Sequence, residues 1–161
     1  MHFVGGSLEL CYMKCILIIS LFIFSYMDLN AQTPIEDLII RYKDSAGVQC
    51  FVAENEDMSQ VYKAFAASPL SSIAYDVMSF YILKMSTASF DIIERFMLNV
   101  DDVLRTNYTD FSMDFPLGGE SRVYVTFLNK NIISEMIIYN PALLILNDIQ
   151  GEFNVKSLKQ K

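Results

Sequence analysis

Between Ser121 and Phe153 three apolar runs are separated by Asn129-Lys130-Asn131 and by Asn140-Pro141. Residues of those types favour turning over pairing, so the pattern predicts a three-stranded antiparallel meander. In its first strand Val123, Val125 and Phe127 face one way, and Arg122, Tyr124 and Thr126 the other. A turn of even length around Asn129 to Asn131 then aligns Met136 and Ile138 with the valines and leaves Glu135 beside Thr126 or Tyr124. An odd-length turn sets Glu135 among the valines, where a carboxylate is costly without a partner. After Pro141, Ala142 to Leu146 reads as the last strand, Gly151 marks a bend or bulge before Phe153, and Asn154 can cap a short helix carrying Val155 and Leu158.

Upstream the periodicity alternates between helix and strand. Thr33-Pro34-Ile35-Glu36 has the residues of a capping box with proline at the first helical position, and Ile35, Leu38, Ile39 and Tyr42 follow on one face. That helix ends near Lys43 to Gly47, with Gly47 free to take the left-handed turn. Val48 to Ala53 is a strand, and the acidic run Glu54 to Asp57 ends it. The run reads either as a calcium-type oxygen cluster or as a solvated turn, and it lacks the alternating ligands and glycine of a calcium loop. Met58, Val61, Tyr62 and Phe65 define a second helix that ends before Pro69.

Leu70 to Met78 fits a short strand, a helical turn or a loop, and Phe80 to Met85 a strand. Ser86 or Thr87 is then the expected cap of the longest helix, with Phe90, Ile93, Met97, Val100 and Leu104 on one face and Ile92, Phe96 and Val103 widening it. Phe111, Met113 and Phe115 alternate with polar residues as a further strand. The expected fold is therefore α+β: a mainly antiparallel sheet ending in the meander, with about three helices packed on it and a short C-terminal helix.

The N-terminus changes the domain picture. Met13-Lys14, the apolar run Cys15 to Tyr26 and the approach to Ala31 have the three parts of a secretory signal peptide, with cleavage expected near Ala31-Gln32. The apolar run is shorter than the ~20 residues a membrane-spanning helix needs, so no transmembrane helix is expected in the mature chain. Residues 1–12 carry Glu9 and no Lys or Arg, which points to Met13 as the true start and 1–12 as a spurious extension. A single α+β domain then spans 32–161.

Charge and composition close several reaction classes. The whole chain has formal net charge −7, and the export segment, with Lys14, Glu9 and Asp28, changes it by one. That balance argues against nucleic acid and against anionic membrane surfaces as partners. The one histidine, His2, lies in the export segment, so histidine triads and histidine-ligated metals are excluded downstream. Of three cysteines only Cys50 remains, on the strand face shared by Val48 and Val52, and it reads as a buried, inert thiol. No cofactor is expected.

Glu135, among Ile132, Ile133, Met136, Ile137 and Ile138, is the candidate polar-face or interaction site, with Arg122 and Tyr124. It has two readings: a general base or cation-binding group, or a structural partner for Arg122 or Lys130 and an edge-strand charge against aggregation. No second carboxylate can be placed beside it from spacing alone.

The export segment, Arg41-Tyr42-Lys43 leading to Gly47-Val48, the Phe80 to Leu83 strand, the long helix, Ile133 to Ile138 and Ile149-Gln150-Gly151 together resemble domain-of-unknown-function family 4252, exported or lipid-anchored proteins of the Bacteroidetes. The chain lacks the family's lipoprotein cysteine. The resemblance implies compartment and lineage rather than a reaction. It also gives Asp44-Ser45-Ala46 a context, as an O-glycosylation site at Ser45 of the kind such bacteria use, with a capped helix end as the alternative. Asn107-Tyr108-Thr109 reads as a turn.

The functional expectation is a non-catalytic periplasmic or secreted protein that binds an envelope protein or component, of unknown oligomeric state. Two rivals stand beside it: a histidine-free envelope enzyme using Glu135, Tyr124 or Cys50, and a partner in envelope-stress signalling.

Overall fold

In the computed structural model the chain divides into two units at Thr33/Pro34, and the second, Pro34–Lys161, is compact. The structure describes residues 32–54, 58–113 and 119–158. Within the second unit one six-stranded antiparallel sheet has the order β1-β2-β6-β5-β4-β3. Its strands are β1 (Gln49–Glu54), β2 (Val77–Lys84), β3 (Thr109–Asp110), β4 (Arg122–Asn129), β5 (Ile132–Asn140) and β6 (Ile145–Asn154). Four α-helices accompany them among the described residues: α1 (Pro34–Tyr42), α2 (Met58–Ala66), α3 (Phe90–Asn107) and α4 (Val155–Leu158). The fold is α+β, as the periodicity predicts.

Each face of the sheet carries its own core. On one, here face A, α1 and α3 pack Ile35, Leu38, Ile39, Phe96, Val100 and Leu104 against Tyr81, Leu83, Ile137, Tyr139 and Leu146. On the other, face B, α2, a 3-10 turn at Ser71–Ile73 and α4 cover Val123, Val125, Met136, Ile138, Ile149 and Phe153. Strand alternation divides one sequence between two unlike environments.

The meander forms with the predicted parity. Lys130 and Asn131 join β4 to β5, and Asn129 Oδ1 accepts from the amides of Asn131 and Ile132 at 2.9 and 3.1 Å. Glu135 lies opposite Thr126, with Met136 opposite Val125 and Ile138 opposite Val123. A register shift at Ser134 lets Ile133 point into face B while Glu135 points into face A. At Gly151 the β6 register shifts as well, and a Cβ there would meet the Asp76 carbonyl oxygen at 2.1 Å and the Phe153 ring at 2.7 Å. Gly47 has φ +78, the left-handed turn expected of it, and its carbonyl accepts from Thr87 Oγ1 at 2.7 Å. Asn154 Oδ1 accepts from the Lys156 amide at 2.9 Å and opens α4.

Several boundaries differ from expectation. The last strand begins at Ile145 and runs to Asn154, because Asn140 Oδ1 accepts from the Leu143 amide and turns 141–144 into a tight loop, with Leu144 at φ 54. The long helix starts at Phe90 after Ser89, which makes no side-chain cap, rather than at Ser86 or Thr87. Its buried stripe is Phe96, Val100 and Leu104, while Phe90 is 75 % exposed. Of the strand expected over Phe111, Met113 and Phe115, Phe111 to Met113 are outside regular structure; the strand here is Thr109–Asp110, and the Phe111 amide donates to the Val123 carbonyl. Residues 114–118 and 55–57, including most of the acidic run, lie outside the described residues.

Candidate functional site

The polar residues of face A converge beneath the start of α1. Central strands β5 and β6 pair Ile137 with Asp148 and Glu135 with Gln150, so Glu135 and Asp148 are diagonal neighbours on the same face. Both are buried, Asp148 at 0 % exposure and Glu135 at 5 %. Tyr108, in the residue after α3, turns inward and donates to Glu135 Oε1 at 3.0 Å. The same hydroxyl accepts from the Ile35 amide at 3.4 Å. Gln150 Nε2 donates to Asp148 Oδ2 at 3.0 Å and its Oε1 accepts from Ser79 at 3.0 Å. Asp148 Oδ1 is buried with no conventional donor among the described residues.

Burial removes water from the Asp148 carboxylate, and the negative charges of Glu135 and Glu36 act on it, so its proton is held well above the ordinary carboxylate range. A protonated Asp148 becomes a donor, and its hydrogen bond to Glu135 favours that form. Beside them Tyr81, cross-strand from Asp148, donates to Glu54. Burial and that hydrogen bond push its phenol upward.

This geometry revises the site expected from spacing. Glu135 is in a central strand, so it is not an edge-strand charge, and its hydroxyl partner is Tyr108 rather than Arg122 or Lys130. A second carboxylate does stand beside it. Asp148 lies beyond the strand expected over Ala142 to Leu146, which is too short to contain it. The Asn-Asp-Ile-Gln run at 147–150, polar residues alternating into an otherwise apolar segment, was the available signal.

Arg122 and Tyr124 come together elsewhere. The Arg122 guanidinium hydrogen-bonds Tyr124, which holds its proton more firmly. Both line a cleft of about 310 Å³ with Asp101, Leu104, Arg105, Tyr108 and Asp110. Tyr108 therefore belongs to both places: it borders the cleft and reaches back to Glu135. Deeper on the same face Tyr139 is pushed up to about 12, by burial first and then by Asp101 and Tyr124.

A larger cavity of about 670 Å³ opens on face B. Phe65 and Leu70 form one wall, Phe80, Ile138 and Ile149 its apolar floor, and Leu143 with Asn140 the far side. Its polar lining is already engaged: Asn140 Nδ2 donates to Ser121 Oγ at 3.1 Å and Asn147 Nδ2 to the Ile138 carbonyl at 3.2 Å.

Cys50 is half-buried in β1, and burial raises its thiol, with Lys43 opposing and Asp44 adding to the shift. Ser45 is half-buried in the turn after α1, where its amide donates to the Tyr42 carbonyl at 2.9 Å. Among the described residues no group of three or more His, Cys, Asp and Glu side chains could hold a metal ion. No helix among them is long and apolar enough to cross a membrane.

Fold and cavities define the class: an α+β domain whose sheet buries a carboxyl pair under one helical layer and opens an apolar groove on the other. No family model, curated protein or solved structure matches the chain.

Proposed function

We propose that this chain is an exported, non-catalytic domain that binds an envelope component through the face B groove, the ligand being an acyl or similarly apolar chain. The observation that carries the reading is the groove itself. Its volume of about 670 Å³ falls among ligand sites of roughly 300–1,000 Å³, and its floor is aromatic and branched aliphatic. Export rests on the sequence: the charged start at Met13-Lys14, the apolar run after it, and Ala31 before the cut. Membership of family 4252 and glycosylation at Ser45 belong to the same proposal.

A long-chain fatty acid serves as the probe. It should bind the purified protein by calorimetry, and Ile82→Lys, at a half-buried position lining the groove, should weaken that binding at least about tenfold, with the circular dichroism unchanged. Binding untouched by the substitution contradicts the reading. For export, protein recovered from the cell envelope should begin at or near Gln32; an intact Met13 there contradicts it.

The enzyme reading has one observation in its favour, the second carboxyl beside Glu135. Its burial weighs against it, since a general base must reach its substrate and Tyr108 stands between Glu135 and the cleft.

A further inference from the structure

Asp148 is an unusual residue to find in a core. A leucine or asparagine in its place fills similar space without a desolvated charge, and replacing buried ionic groups by apolar ones is often neutral or stabilising. The groups that act on it are acids or neutral hydrogen-bonding side chains. Glu135 comes from β5, Glu36 from α1 and Gln150 from β6 itself. Tyr81 stands opposite on β2, with Glu54 of β1 at its hydroxyl, and Tyr108 from the end of α3 holds Glu135. A continuous set of contacts runs from the pair to the backbone of α1: Glu135 Oε1 to the Tyr108 hydroxyl at 3.0 Å, and that oxygen to the Ile35 amide at 3.4 Å. The Ile35 amide is one of the first in the helix, which lack intrahelical acceptors.

We propose that Glu135 and Asp148 form a one-proton latch that fastens the N-terminal end of α1 to face A. With the proton in place Asp148 donates to Glu135, Glu135 accepts from Tyr108, and Tyr108 accepts from Ile35. When the proton leaves to solvent, two carboxylates share a dry site, their repulsion displaces the Tyr108 contact, and α1 loosens over the apolar surface it covers. Ile35, Leu38 and Ile39 are nearly inaccessible while the latch is closed, so its release bares an apolar patch on demand.

The direction of the pH response follows from linkage. The unfolded or detached state gives up the Asp148 proton near the ordinary value of 3.8, and the closed state only well above it. The latch is therefore fully engaged below the ordinary value and weakens as pH rises, until the closed state's own raised value is passed.

Hydrogen exchange across α1 in the full chain tests this, corrected for the intrinsic pH dependence of amide exchange. Protection of the α1 amides should fall as pH rises from 5 to 9, by up to about tenfold per unit for one proton, while α2 amides on face B stay level. Asp148→Asn should flatten the α1 profile. Tyr108→Phe should flatten it too, yet leave the Asp148 carboxyl titrating at a raised pH by carbon-13 shift. Level α1 protection in the wild type, an equal fall on α2, or an Asp148 carboxyl that titrates near its ordinary value would each overturn the latch. If Asp148→Asn fails to fold, the wild-type titration and the Tyr108→Phe profile decide alone.

Discussion

The two faces of this sheet draw on the same strands and reach opposite compromises. Face A is closed over by α1 and α3 and tolerates Glu135 and Asp148 in its interior, with half-buried Gln150 beside them. Face B packs an apolar cluster under α2 and α4 and leaves part of its sheet surface as a groove, with buried Asn140 at its side. A closed layer makes buried polarity consequential, because water cannot satisfy it and every partner must come from the protein. An open apolar groove needs no partner within the chain, and its lining is available to a ligand. Alternation within β5 and β6 therefore does more than divide inside from outside: both sides are covered, and they differ in what covers them.

The largest effects are expected in the cores. Phe96→Ala on face A and Phe153→Ala on face B, both at 0 % exposure, should each cost about 3–5 kcal/mol in urea unfolding. Because the two rings belong to separate clusters, the double variant should be close to additive; strong coupling would show that the faces are one core. Next in size, Gly151→Ala should destabilise by about 1–3 kcal/mol, since the added methyl runs into the Asp76 carbonyl and the Phe153 ring. Neutral behaviour there would mean that the β6 bulge relaxes freely.

Smaller effects sharpen face A. Tyr81→Phe removes the hydrogen bond to Glu54 while keeping the ring, and should lower stability by about 1 kcal/mol. The smallest expected change is chemical. With its thiol raised by burial, Cys50 should alkylate more slowly at pH 8 than a free cysteine, and urea should remove the difference. Rapid native labelling would contradict the half-buried placement.

Much of this architecture was legible in the residues. The parity of the Asn129 to Asn131 turn followed from keeping Glu135 off the valine face, and Gly47, Gly151 and Asn154 announced a left-handed turn, a bulge and a cap. The candidate site was half legible. Glu135 stood out, but its partners depend on pairings that local periodicity does not encode: Asp148 through the β5–β6 register, and Tyr108 through the path of the chain after α3. The long helix α3 is rotated from its expected stripe, which its buried Val100 and Leu104 keep in part. Phe90 and Met97 fit its periodic stripe, yet the helix lies with Phe96, Val100 and Leu104 inward, so packing on face A set its rotation. The groove was not readable at all, being a gap between elements distant in sequence.

The most direct test of the division between faces is a methyl and amide NMR map of the protein titrated with the fatty acid probe. The account predicts shifts at Phe65, Phe80, Ile138 and Ile149 on face B, with Phe96, Tyr139 and Leu146 on face A unmoved. Shifts centred on face A, or none on either face at saturating probe, would contradict it.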